Sequence, residues 1–155
     1  MRSTVKTISI RRRGHQKGNS ALEFALTLPL LWTIMAGVYQ LGSSLYTYNQ
    51  LTIAVSNAAR FAGRDGVVPS KDQYLGRIRN VAVFGNPEGT GTPIVSGLQT
   101  SNVIVSLEED TAGVPRNVTV RIRNFAIDGG LTRTTLTNKP YATSSYAGRY
   151  QPYGD

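Results

Sequence analysis

The chain has 155 residues, a formal net charge of +8 at pH 7 and no cysteine. This length allows one small domain, and the lack of cysteine excludes disulfides and Cys-based metal sites. The basic character belongs to the start of the chain, because 6 of the 17 Lys and Arg residues precede residue 18 and no acidic residue does. The remaining 11 basic residues stand against 9 acidic ones. This balance offers no basic face, so a nucleic-acid partner is not expected.

An apolar run follows the basic leader. From Phe24 to Tyr39 no side chain is charged, and the uncharged run continues to Leu45. A helix of this length, rising about 1.5 Å per residue, crosses a hydrocarbon core of roughly 30 Å. We therefore predict one membrane span, with Pro29 kinking it and with Thr27 or neighbouring helices serving the carbonyl that the proline leaves free. The competing explanation is the core helix of a soluble domain, but such helices are usually shorter and carry a polar stripe.

The start of the span is compatible with three kinds of signal. A conventional signal peptide is cut after its apolar run, and a signal anchor is not cut at all. The third kind is suggested by Lys17-Gly18-Asn19-Ser20-Ala21-Leu22-Glu23-Phe24, where a glycine closes the basic leader and a glutamate is the fifth residue after it. This segment resembles the class III signal of type IV pilins and pseudopilins, which is cut after the glycine. Gly18 fits better than Gly14, because the fifth residue after Gly14 is not a carboxylate.

Further stretches of residues 14–64 resemble the TadE-like pseudopilins of tight-adherence (Flp-type, type IVc) pilus systems, or their closely related TadF-like branch. The stretches that carry the resemblance are residues 21–26, 28–31, 37–42, 46–50 and 58–60.

The resemblance implies a minor pseudopilin, since the major pilins of such systems are much shorter chains. It implies processing by a prepilin peptidase after Gly18, at the Asn19 amide. The implied partners are other pilins and pseudopilins, the inner-membrane assembly platform and membrane lipid, and the implied roles are pilus assembly, adhesion, biofilm formation and secretion. The alternative is an uncleaved single-span envelope protein with a binding domain.

Glu23 is a carboxylate inside the span, where charge is costly unless it finds a partner. A cut after Gly18 would create an ammonium group on Asn19, one helical turn before Glu23. The resemblance implies assembly roles for Glu23 and Phe24, with the carboxylate meeting the amine of a neighbouring subunit. The alternative is a carboxylate that reaches the cytoplasmic interface and has no function.

The basic flank predicts that the N-terminus stays in the cytoplasm and the C-terminal domain lies on the other side of the membrane. The resemblance implies that this membrane is the bacterial inner membrane, that the domain is periplasmic and that the protein can be incorporated into an extracellular pilus. We predict a leader at 1–18, a span and stem helix at 19–64, and an α+β domain at 65–155. An apolar stripe predicts that the stem helix continues to Gly63 or Gly66 and packs on a sheet or another helix. The stripe consists of Leu45, Tyr48, Thr52, Val55, Ala59 and Ala62.

Beyond the stem, Asp72 is predicted to cap a short helix with Arg77 and Arg79 toward solvent. Its buried side is predicted to carry Tyr74, Leu75, Ile78, Val81 and Ala82. Turns follow at 85–97. Alternating residues predict strands at 103–107 and 118–122 around an acidic loop that begins at Glu108, with further strands at 131–137 and 141–146.

The predicted fold class is α+β and pilin-like, with a long N-terminal helix packed on a small antiparallel sheet. The only histidine, His15, lies in the leader that would be removed. No enzyme, cofactor or metal site is therefore expected.

Overall fold

The computed structural model of the chain describes residues 16–65, 70–111, 115–130 and 132–147. The predictions for residues 1–15, Gly66 and Leu131 lie outside these ranges, as do residues 148–155 of the predicted C-terminal domain. Of residues 16–18 only the backbone is described.

Helix α1 runs from Gln16 to Arg64 without interruption, with Pro29 inside it. The prediction that Thr27 serves the carbonyl of Ala25 is wrong. The Thr27 hydroxyl donates instead to the carbonyls of Glu23 (2.9 Å) and Phe24 (3.2 Å). These lie three and four residues earlier, which is the reach of a threonine hydroxyl in a helix, whereas Ala25 is only two residues away.

The chain divides into two compact units, residues 1–39 and residues 40–155, and α1 contributes to both. In the second unit its distal part is buried at Leu51, Ala54, Val55, Ala58, Ala59 and Ala62.

The predicted stem stripe is confirmed at Val55, Ala59 and Ala62, while Tyr48 and Thr52 are half-buried. Leu45 is 55% exposed, so its predicted burial is wrong. Leu51, Ala54 and Ala58 are also buried and were not part of the predicted stripe. The buried face is wider than one stripe because elements from two other parts of the chain pack on this helix.

Helix α2 spans Lys71–Phe84, and its N-cap is Ser70, whose hydroxyl accepts the Gln73 N–H at 3.3 Å. The prediction that Asp72 is the cap is therefore wrong. Asp72 lies in the first helical turn, where a negative charge still complements the helix dipole. The helix ends at Gly85, which takes the left-handed conformation that glycine adopts without strain. The predicted buried side is confirmed, with Leu75 half-buried and with Val83 added: Tyr74, Ile78, Val81, Ala82 and Val83 are buried.

Arg77 was predicted to face solvent, and this is wrong. Its guanidinium lies 3.1 Å from Asp65 Oδ2 and 5.5 Å from the centre of the Phe61 ring. A half-buried arginine can bury its apolar stem and still pair its charge, which a pattern of exposed and buried positions on one helix does not reveal.

Antiparallel strands β1 (Val103–Glu109), β2 (Pro115–Ile122) and β5 (Tyr141–Ser145) form a sheet in the order β1-β2-β5. Strands β3 (Phe125–Asp128) and β4 (Arg133–Leu136) form a separate two-stranded antiparallel sheet.

Three of the four predicted strands match β1, β2 and β5, and β4 lies within the fourth. Strand β3 was missed. Glu108 and Glu109 were predicted to begin the loop but belong to β1, and a register shift separates them. The segment between α2 and β1 forms turns and a 3-10 turn at Thr100–Asn102, as its glycines predict.

The core of the second unit lies between distal α1, α2 and the inward residues of the larger sheet, among them Val118, Val120 and Ile122. Two hydrogen bonds attach the end of α1 to its neighbours. The Tyr74 hydroxyl on α2 donates to the Ala62 carbonyl at 2.6 Å, and the Ala147 N–H after β5 donates to the Gly63 carbonyl at 2.9 Å. The predicted α+β class, with a long helix on a small antiparallel sheet, is confirmed.

Candidate functional site: the exposed apolar helix and its carboxylate

The first unit presents large apolar side chains along α1, and none of them is buried within the described chain. Trp32 is 70% exposed and Tyr39 74% exposed. Exposing so much apolar surface to water is unfavourable by about 25 cal/mol per Å². The helix is long and apolar enough to cross a membrane and, unlike the core helix of a soluble protein, has no buried share in its apolar window. This is consistent with membrane anchoring. The exposed apolar residues here are Leu22, Phe24, Leu26, Leu28, Leu30, Leu31, Trp32, Ile34, Met35, Val38 and Tyr39.

Glu23 is the only charged residue between Lys17 and Arg60. It lies on this exposed helix, and its Oε1 accepts a hydrogen bond of 3.2 Å from the side-chain amide of Asn19. The four-residue spacing places the two side chains one above the other on the same helix face. The carboxylate therefore already has one donor in the uncut chain.

The structure thus brings together two of the four predicted site residues, Asn19 and Glu23. Phe24 lies beside them in sequence, is 65% exposed and is not part of the buried core. Gly18 lies within the helical backbone, so the bond between Gly18 and Asn19 is flanked by helix on both sides.

The side chain of Asn19 is a functional candidate that was not predicted from the sequence, where Asn19 was expected only to supply a new amine. The signal was present in the sequence, because an amide donor four residues before an isolated carboxylate can form a side-chain pair on a helix.

The described part of the chain offers little else for chemistry. Within the described ranges, no group of three or more His, Cys, Asp or Glu side chains could hold a metal ion. Most of the ion pairs found there, such as Lys71 with Glu109 at 2.7 Å, join exposed side chains, while the Arg77–Asp65 pair is partly buried. Pairs of this kind contribute little to stability, and they do not form an acid–base constellation.

Comparison with known families identifies the helix that carries this site. The family model described as TadE-like protein matches residues 18–60. The N-terminal helix is TadE-like. The resemblance predicted from the sequence is therefore confirmed, and the matched residues begin at Gly18 and include the Asn19–Glu23 pair.

The TadE-like family is a structural, pilus-associated family. The match ends at residue 60, inside α1, so it does not extend to α2 or to either sheet. No curated protein and no solved structure gave a significant match.

Proposed function

We propose that the protein is a minor pseudopilin of a tight-adherence pilus. In this proposal a prepilin peptidase cuts the chain after Gly18, and the mature protein contributes to pilus assembly, surface adhesion and biofilm formation. The observation that carries the proposal is the position of Glu23. It is an isolated carboxylate on a TadE-like, exposed apolar helix, one turn after the residue that would become the new N-terminus.

The electrostatic argument concerns what Glu23 gains when the chain is cut. A carboxylate in a span costs up to about 2.5–3.5 kcal/mol on insertion scales. The Asn19 amide is a neutral donor and offsets only part of that cost. An ammonium group on Asn19 would add a charge-assisted hydrogen bond, which is roughly twice as strong as a neutral one. Cutting therefore changes Glu23 from a weakly paired carboxylate into one that can hold an amine in its own chain or in the next subunit.

The proposed topology follows from the charge distribution. Residues 1–18 are the cytoplasmic leader, residues 19–64 form the inner-membrane span and stem, and residues 65–155 form a periplasmic domain. The proposed partners are the prepilin peptidase, other pilins and pseudopilins, the assembly platform and membrane lipid. No catalytic role is proposed for the chain.

The first test is the N-terminus of the mature protein. Intact mass or amino-terminal sequencing of protein from its native membrane should give a chain that begins at Asn19. A chain that begins at Met1 would favour the uncleaved envelope anchor, and a chain that begins beyond Ala36 would favour a conventional signal peptide. Either outcome would overturn the proposal.

The second test separates a pilus component from an anchor. Glu23→Gln removes the charge and keeps the size, so insertion of the span should be unimpaired because a cost has been lowered. We expect the variant to reach the membrane at normal level but to lose pilus-dependent attachment and co-purification with other pilins. Glu88→Gln, at an exposed position in the turn region after α2, is the matched control and should behave as wild type. Normal attachment by Glu23→Gln at normal protein level would contradict the role of Glu23.

A further inference from the structure

In the α1 segment that begins the second unit, residues 40–47, the polar face is the more buried one and the apolar face is exposed. Its polar residues Gln40, Ser43, Ser44 and Thr47 are half-buried. The hydroxyls of Ser43 and Thr47 donate to carbonyls of their own helix, and Gln40 and Ser44 face the turn between β3 and β4. A helix on the surface of a water-soluble domain has the opposite arrangement, with polar residues outward. The apolar residues of the segment face outward, with Leu41 63%, Leu45 55% and Tyr46 66% exposed.

This reversed pattern indicates what surrounds the segment. Apolar residues that face outward are favourable next to lipid, and a tyrosine at the end of such a run is typical of the membrane interface. The segment Gln40–Tyr46 rises about 9 Å, which is enough to cross one headgroup layer of roughly 5–8 Å. The lipid environment of the span therefore extends along one face of α1 beyond Tyr39, to about Tyr46.

The opposite face of the same segment is covered by the turn between β3 and β4. The Gln40 side-chain amide donates a hydrogen bond to the Thr132 hydroxyl. Gly129 is buried against the helix, and a Cβ there would lie 2.9 Å from both Gln40 Cγ and Ser44 Oγ. A side chain at this position would displace Gln40 or Ser44, so glycine lets the turn rest at the same level of α1 as the outward apolar residues.

The turn is also suited to a headgroup layer. Two of its backbone amides have partners within the turn, because the Gly129 N–H donates to the Thr132 carbonyl at 3.0 Å and the Gly130 N–H donates to Asp128 Oδ1 at 2.9 Å. The charged residues on either side, Asp128 and Arg133, are 65% and 71% exposed and only loosely paired at 3.8 Å. One carboxylate and one guanidinium can contact the ammonium and phosphate groups of lipid headgroups.

We infer that the β3–β4 turn, defined by Asp128, Gly129, Gly130, Thr132 and Arg133, lies in the outer headgroup layer of the membrane beside α1. The partner is the lipid surface. The inference rests on the proposed membrane span, and it adds a second membrane contact from the folded domain. It assigns a role to Gly129, which keeps the turn against the helix where the chain leaves the bilayer.

The test uses the absence of native cysteine. Single variants Thr134→Cys, next to the turn, and Thr143→Cys, on β5, place a fluorophore at two exposed strand threonines. The full chain is reconstituted in vesicles of phosphatidylcholine and phosphatidylglycerol that contain a headgroup spin-labelled lipid. We expect roughly twofold more quenching at position 134 than at position 143, because only the former lies within reach of the headgroup layer. Equal quenching at the two positions would overturn the inference.

A third variant, Val38→Cys, distinguishes failure of the inference from failure of the proposed span. With a spin label in the lipid acyl chains, the fluorophore at this position should be strongly quenched. Strong quenching there together with equal quenching at positions 134 and 143 would refute the lipid contact of the turn and leave the span intact. An unquenched fluorophore at position 38 would refute both the span and the turn contact.

Gly129→Val tests the role of the turn, and Gly42→Ala is its control. Gly129→Val added to Thr134→Cys should lower the quenching at position 134 to the level at position 143. Gly42→Ala, where a Cβ meets nothing within 4 Å, should leave the quenching at position 134 unchanged. If a second copy of the chain covers the outward face instead of lipid, Leu45→Cys will crosslink to itself on oxidation and a fluorophore there will be shielded from spin-labelled lipid. That outcome would overturn the inference.

Discussion

The two parts of α1 differ more than any two separate elements of this protein. In the first unit the helix carries leucines, a tryptophan and a methionine whose side chains are all exposed. In the second unit the same continuous helix buries four alanines, Ala54, Ala58, Ala59 and Ala62, beneath other elements. Leu51 and Val55 are buried beside these alanines, so the buried face combines two larger side chains with several small ones, whereas the large side chains of the first unit have no cover from the described chain.

This difference has a physical explanation. Small side chains let α2 and the end of β5 approach the helix backbone closely, as the contacts of Tyr74 with Ala62 and of Ala147 with Gly63 demonstrate. Large side chains without protein neighbours need an apolar solvent instead, and the bilayer can provide it. Substitutions in the exposed surface of the first unit and in the tight core of the second are therefore expected to affect stability and membrane insertion differently.

The largest expected contrast comes from removing the same side chain in the two parts. Leu51 is fully buried and Leu30 is 62% exposed. Leu51→Ala should lower the free energy of unfolding of the second unit by about 2–5 kcal/mol, because it leaves a cavity. Leu30→Ala should change it by no more than about 0.5 kcal/mol. Urea denaturation in detergent micelles, followed by circular dichroism, measures both, and similar losses for the two variants would break the comparison.

The next contrast introduces a charge at two positions of similar exposure. Leu31 is 64% exposed and Ile53 55% exposed. Leu31→Arg should disfavour membrane insertion by about 3 kcal/mol, because the guanidinium would enter the hydrocarbon region. Ile53→Arg should leave insertion unchanged, since this position lies on the stem beyond the span. The fraction of chains that resist carbonate extraction from membranes is the measurement, and equal retention of both variants would argue against a lipid-exposed position for Leu31.

A smaller contrast uses two glycines of the same helix. A Cβ at Gly63 would lie 2.7 Å from Ser144 Oγ and 2.8 Å from the Ser145 carbonyl, whereas one at Gly37 would meet nothing within 4 Å. Gly63→Ala should therefore destabilise the second unit by about 1–3 kcal/mol, because β5 must move. Gly37→Ala should be neutral or favourable by up to about 1 kcal/mol through helix propensity. The thermal midpoint should fall for Gly63→Ala and should stay the same or rise for Gly37→Ala. A lower midpoint for both variants would contradict this prediction.

The smallest effect concerns pH at the exposed end of the β1–β2 hairpin. The backbone N–H of Thr111 and then the guanidinium of Arg116, at 2.8 Å, hold the pKa of Asp110 below its ordinary value. A lowered pKa in the folded state means that this carboxylate adds stability at neutral pH and loses it as the pH falls below about 4.

Asp110→Asn should therefore flatten slightly the decline of the urea midpoint between neutral and acidic pH, with no measurable change in membrane insertion. Thr143→Ala, at another exposed sheet position, serves as the control. A steeper acid decline in Asp110→Asn than in wild type would mean that the carboxylate is better stabilised when the chain is unfolded.

The sequence by itself determined the features that depend on local composition. An uncharged run that is long enough to cross a bilayer, a basic leader that ends at Gly18 and a single carboxylate at Glu23 are visible without any fold. The alternating residues of β1 and β2 likewise predict strands, because a half-buried strand repeats every two residues. The family match at residues 18–60 covers the uncharged run and Glu23, and it does not reach β1 or β2.

Only the tertiary structure decided which surfaces meet. Ser70 and Asp72 are both able to cap a helix, and the choice depends on which residue takes the extended backbone conformation before α2. Strand β3 has four residues, too few for alternation to distinguish it from a loop.

The buried face of α1 also depended on distant partners. Ala54 and Ala58 become core positions only when α2 and the sheet pack on the helix from two directions. Gly129 is important for packing only because its turn, distant in sequence from α1, lies against Gln40. A periodic pattern in one helix reports how apolar each face is. It contains no information about which distant segment will cover that face, because this depends on contacts between residues far apart in the chain.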